Sequence, residues 1–175
     1  VGYRYVDWFL TVPLLLVETI AVLGLARAVQ SSLLVRLVPA AALMIGLGYP
    51  GDAQLDIAGI APSVWGLLST IPFLYILYVL FVELGKSLEK QSAAVQRKIK
   101  ELRLLLLATW GVYPITFILA MNSTGFNAAE FVNREVGYTI ADVLAKCLFG
   151  LVIFSIARIK SAEESAEFAK TEFKD

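Results

Sequence analysis

Apolar residues fall into long, nearly unbroken runs, with polar residues gathered in short stretches between them. A membrane-crossing helix needs about 20 mainly apolar residues. Five stretches meet that requirement, at roughly 1–26, 32–49, 61–85, 101–121 and 135–158. They are joined by "RAVQSS", "GYPGDAQLDIAGIAP", "GKSLEKQSAAVQRKIK" and "MNSTGFNAAEFVNRE". No soluble domain, low-complexity segment or internal repeat interrupts them. The pattern predicts an all-α membrane protein with a bundle over 1–160. The tail, 161–175, mixes acids, lysines and two phenylalanines and is expected to be solvated and frayed.

Composition agrees. The chain is 58% hydrophobic and 17% charged, with a mean hydropathy of +0.74; soluble domains lie nearer 45–50% apolar and 25% charged. Net charge is zero, and no basic cluster points to nucleic acid. The single cysteine, Cys147, excludes an internal disulfide, and the absence of histidine removes the commonest metal ligand and proton shuttle. Lysine and arginine set the orientation. Lys86, Lys90, Arg97, Lys98, Lys100 and Arg103 crowd the third connection, and Arg158, Lys160, Lys170 and Lys174 follow the last span. Both regions are therefore expected to be cytoplasmic in a multi-pass protein of the cell membrane. The first run starts at Val1 without an initiator Met or signal peptide, which reads as a chain entered partway through.

Charged residues inside the spans carry the candidate chemistry. A charge at bilayer depth costs roughly 2.5–3.5 kcal/mol on insertion scales. The first span, "RYVDWFLTVPLLLVE", holds Arg4, Asp7 and Glu18; the last holds Asp142 and Lys146. Asp7 and Glu18 are eleven positions apart, a residual rotation of only about 20° and a rise of about 16 Å. They share one stripe, with Thr11 one turn beyond Asp7 and Arg4 one turn before it. Asp142 and Lys146 are i,i+4 neighbours and share a face. Lys146, near the middle of its span, cannot reach either interface. It must pair with a carboxylate, be neutral, or be covalently modified, for example as a Schiff base with a carbonyl compound. Two readings follow: ion pairs that hold a helix bundle together, or a proton relay across half the membrane. Buried pairs add little stability, because desolvation offsets their attraction.

These residues resemble the microbial rhodopsins, in particular proton pumps of the proteorhodopsin and xanthorhodopsin group. "RYVDWFLTVPLLLVE" looks like their third helix, "SVWGLLSTIPFLYILYVLFVE" their fifth, "WGVYPITF" their sixth and "GYTIADVLAKCLFGL" their seventh. The likeness runs from residue 1 to about 160. The family has seven helices, so five would be present here and the first two missing from this chain.

The resemblance implies a light-driven outward proton pump, an ion transporter and not an enzyme, with all-trans retinal bound to Lys146 as a Schiff base. Asp7 would be the primary counter-ion and proton acceptor, Asp142 the second counter-ion and Glu18 the cytoplasmic donor. Glu18 is expected to lie buried in the apolar cytoplasmic half. Arg4 would act as an extracellular gate near Asp7, and Asp7, Thr11 and Glu18 would form the triplet of the proton pumps. Trp8, Trp110, Tyr113 and Phe117 match pocket positions, Pro114 the sixth-helix kink, and Leu15 the position tuning green against blue absorption. Gly66 stands where a bulky residue is common; glycine there opens a window in which a carotenoid antenna can lie, or simply allows close helix packing. Arg134 falls near the place of the extracellular glutamate of archaeal pumps, which implies release directly from the acceptor. The expected partners are the lipid bilayer, protons, further copies in a homo-oligomer, and the first two helices of the same protein. The rival readings are a retinal photosensor signalling through a partner and a retinal-free scaffold or transporter fragment.

Overall fold

The computed structural model describes residues 1–121 and 128–172, with side chains over 1–117, 129 and 132–171. The middle of the 121–135 connection and the last three residues of the tail lie outside the described residues. Helices make up almost all the rest. They are α1 (Gly2–Val22), α2 (Arg27–Asp52), α3 (Pro62–Tyr78), α4 (Leu84–Leu88), α5 (Ala93–Trp110), α6 (Val112–Met121), α7 (Ala128–Val143), α8 (Phe149–Glu164) and α9 (Ala166–Glu172). The fold is an all-α membrane bundle.

Two of the rods contain a π-helical turn. Val79–Glu83 joins α3 to α4, and Leu144–Leu148 joins α7 to α8. Such a turn takes an extra residue per turn and re-aims the side chains beyond it. Among the described residues, Gly2–Val22, Arg27–Asp52, Pro62–Leu88 and Val132–Glu164 are each long and apolar enough to cross a membrane. The stretch expected to span at 101–121 is divided at Gly111, between α5 and α6. Proline explains the break: Pro114 has no N–H to give the Trp110 carbonyl, and its ring crowds that turn. The Gly111 amide still makes its helical bond to the Leu107 oxygen at 3.0 Å, so α5 is intact up to that turn.

Several helices extend beyond their apolar cores. "RAVQSS" is not a loop but the start of α2, and the chain reverses over Leu23–Ala26, where Gly24 supplies a left-handed φ of 56°. In the third connection α5 begins at Ala93, capped by Ser92, whose hydroxyl accepts the Val95 N–H at 3.3 Å. As far as Glu172 the tail is helical: after an extended Ser165 it continues as α9, with the Phe168 N–H donating to Ser165 Oγ.

The rods form an arc in which α1 packs on α2, α2 on α3, α3 on α6 and α5 on α8, with α1 meeting α8 where the arc closes. Leu16, Ile20, Leu37, Ile76, Leu80, Ile99, Leu106, Phe149 and Ile156 fill the centre. Leu43, Leu67, Ile71, Leu104, Leu151 and Phe154 point outward, the faces a bilayer would cover. Trp8, Ile45 and Tyr138 form a second, smaller cluster at the Arg4 end of α1.

Candidate functional site

The two clusters border a cavity of about 240 Å³ with mainly apolar walls. All eight residues read as pocket positions line it: Trp8, Leu15, Gly66, Trp110, Tyr113, Pro114, Phe117 and Lys146. Trp8 and Tyr113 meet edge to face with centroids 4.7 Å apart, and Trp8 and Tyr138 at 5.7 Å. The Phe117 ring lies directly over Gly66, where a Cβ would collide with it. Glycine is needed here for close packing, and the ring occupies the space an external ligand at Gly66 would enter.

Lys146 stands at the wall of this cavity, inside the π turn Leu144–Leu148. Its ammonium is paired with Asp7 on α1. The i,i+4 spacing suggests an Asp142–Lys146 pair, but the structure differs. The π turn intervenes, and Asp142 bonds elsewhere. Its Oδ1 accepts from Trp8 Nε1 at 2.8 Å and from the Tyr113 hydroxyl at 2.6 Å; its Oδ2 accepts from Arg4 Nη1 at 2.9 Å. Trp8 and Tyr113 are therefore both cavity walls and donors to a carboxylate, a double role available to aromatic rings with a polar edge.

Arg4 also departs from expectation. It turns from its own helix partner Asp7 toward α7, donating to Asp142 and, at 2.9 Å, to Glu135. Glu135 was not among the candidate residues, yet the signal is present: it lies seven positions before Asp142, within about 20° of the same helical face. Thr11 donates to the Asp7 main-chain oxygen at 2.9 Å, the usual back-bond of a helical threonine.

Glu18 is exposed in this chain, contrary to the expectation of burial. The packed side of α1 carries Leu16, Thr19 and Ile20, and Glu18 lies about 200° from Leu16 and Ile20 around the helix. The Asp7–Glu18 stripe thus forms a flank of the arc. The Asp7 and Lys146 side chains themselves retain 44% and 33% exposure there, whereas Arg4 and Asp142 retain 18% and 17%. The Asp7–Lys146 pair is thus the more open of the two ion pairs that border the cavity.

The cavity thus ends in a lysine that is salt-bridged to an aspartate. The family described as bacteriorhodopsin-like protein matches residues 1–160. The chain belongs to that family. Among solved members, thermophilic rhodopsin superposes with a TM-score of 0.85 at 47% identity, covering 94% of this chain and 65% of that one. Xanthorhodopsin, a light-driven ion pump with dual chromophore, gives 0.83 at 49% identity, covering 93% and 64%. The blue-light absorbing proteorhodopsin of Gamma-proteobacterium Hot 75m4 is 32% identical over 89% of this chain. The chain spans about 60% of the length of the curated relatives it matches.

The donor set fits the cofactor that the rhodopsin family implies. An apolar cavity with aromatic walls suits a polyene, and a primary amine at its wall can carry a carbonyl compound covalently.

Proposed function

We propose that this chain is the proton-translocating part of a light-driven outward proton pump that binds all-trans retinal covalently at Lys146 Nζ. The observation that carries the reading is the Lys146–Asp7 pair on the wall of an aromatic cavity. Retinal, when bound, supplies a polyene whose light-driven isomerisation re-aims the proton held on the Lys146 nitrogen.

Asp7 is positioned to take that proton from Nζ, because it already faces the nitrogen across the bundle. Among the described residues its carboxylate meets Lys146 alone, whereas Asp142 is engaged by three donors. Asp142 therefore orients Arg4, Trp8 and Tyr113 around the cavity and serves as a fixed second anion. Glu18 lies on the Asp7 stripe about 16 Å further along α1, placed to return a proton to Nζ from the other side. The lysine- and arginine-rich connection and tail support a cytoplasmic C-terminus, which makes the Glu18 end the uptake side.

The exposed face of the bundle that carries Asp7, Lys146 and Glu18 calls for a cover. A half-exposed ion pair would face lipid if nothing more packed there. We propose that two further helices of the same protein close it, which also seals Glu18 from the bilayer. Gly66 admits an antenna carotenoid only if the Phe117 ring turns away. Illumination of cells or vesicles carrying the full-length, retinal-loaded protein tests the pump: external acidification abolished by a protonophore is expected. A coloured protein that moves no protons would instead favour the photosensor.

A further inference from the structure

Beyond Asp142 the charged contacts do not stop. Glu135 Oε2 accepts from Arg4 Nη2 at 2.9 Å; Glu135 Oε1 lies 3.5 Å from Arg134 Nη2; Arg134 Nη1 lies 3.2 Å from Asp52 Oδ1. Asp142, Arg4, Glu135, Arg134 and Asp52 thus form a ladder of alternating sign that links α1, α7 and the last residue of α2. Both guanidiniums also approach the ring of Tyr138, at 5.5 Å for Arg4 and 6.0 Å for Arg134. The end rung is buried, Asp52 being only 5% exposed, and its Oδ1 meets Arg134 as an ion-pair contact without hydrogen-bond geometry among the described residues. The middle rung is asymmetric. Glu135 Oε1 is buried and, among the described residues, has no donor in hydrogen-bond geometry, only the longer contact to Arg134.

We propose that Glu135 is a positioning residue that draws Arg4 away from Asp7 and so sets how firmly Asp7 holds a proton. The proposal rests on the retinal reading above, because Asp7 matters only beside the nitrogen of Lys146. Arg4 precedes Asp7 by one helical turn, so the two side chains can meet on α1; the ladder directs the guanidinium to α7 instead. The ionisable groups around the pair are Arg4 and Tyr5 on α1, Tyr49 and Asp52 on α2, Tyr113 on α6, and Arg134, Glu135, Tyr138, Asp142 and Lys146 from α7 onward. Of these, the five ladder charges and Lys146 fix the local field.

The sign of the effect follows from Coulomb's law. Removing the Glu135 charge leaves Arg4 less compensated and free to swing toward Asp7, which favours the Asp7 anion. Removing Arg134 leaves Glu135 less compensated and disfavours that anion. Simple loosening of the bundle would move both variants the same way.

The test is a spectral titration of the full-length, retinal-loaded protein, following the colour change that accompanies protonation of Asp7. Glu135→Gln is expected to move the midpoint down by at least about half a pH unit, and Arg134→Gln to move it up, as nearby charges do. Asp52→Asn, which removes the far rung, should shift it down by less than Glu135→Gln; if Arg134→Gln does not fold, Arg134→Met, which also removes the charge but keeps an unbranched chain, is expected to shift it up. Midpoints that stay together, or move in one direction for Glu135→Gln and Arg134→Gln, overturn the inference while leaving the retinal reading intact. A colourless unmodified protein would overturn both.

Discussion

Lys146 is ion-paired to Asp7 across the bundle, 139 positions away in sequence, and not to Asp142, four positions away on its own rod. The consequence is a division of labour between two carboxylates. Asp142 accepts from Arg4, Trp8 and Tyr113, while Asp7 faces the Lys146 nitrogen.

Substitution of the two aspartates should therefore give different phenotypes. Asp7→Asn removes the proposed acceptor and is expected to abolish light-driven acidification while the protein stays folded and coloured. Asp142→Asn withdraws the anion from three donors, so the larger effect should be on stability, a loss of about 1–3 kcal/mol. Thermal unfolding and acidification measured on both variants check this. Equal pumping by Asp7→Asn and the parent would contradict the assignment.

Glu18→Gln should leave colour and the first proton transfer unchanged and slow only the return of the proton to Lys146. A lost positioned acid typically costs 10²–10⁴-fold, so recovery of the dark spectrum after a flash is expected to slow at least about 10-fold. An added small weak acid should restore part of the rate, since it can carry the proton in place of Glu18. Recovery at the parental rate would remove Glu18 from the pathway.

Gly66 and Phe117 should be energetically coupled, because the ring lies where a Cβ would stand. Gly66→Ala is expected to destabilise by about 1–3 kcal/mol through overpacking. In a Phe117→Leu background the same change should cost less, giving a non-zero coupling in a double-mutant cycle. Additive effects would show that the contact carries no strain.

Much of this was legible in the chain. The apolar runs mark the rods, and the eleven-residue interval puts Asp7 and Glu18 on one stripe. Pro114 marks the break that the structure places at Gly111. Helix ends were harder to read: "RAVQSS" and the residues after Ser92 are polar, and polarity alone does not stop a helix whose residues favour it. Helix spacing alone pointed Lys146 to Asp142, and only the family resemblance put Asp7 beside it, because a π turn at Leu144–Leu148 intervenes and the competing donors to Asp142 come from α1 and α6. Glu135 was readable from its seven-residue spacing to Asp142, but only once Arg4 was known to reach across to that face. The exposure of Glu18 depends on which side of α1 is packed, and charge spacing along one helix does not show that.

The central claim is that Lys146 carries retinal at the wall of the aromatic cavity. Its most direct test is the visible spectrum of the full-length protein with all-trans retinal, recorded before and after hydroxylamine in the light, beside Lys146→Ala. A visible band that hydroxylamine bleaches, and that Lys146→Ala lacks, is the expected result. No band in the parent protein, or the same band in Lys146→Ala, would contradict the account.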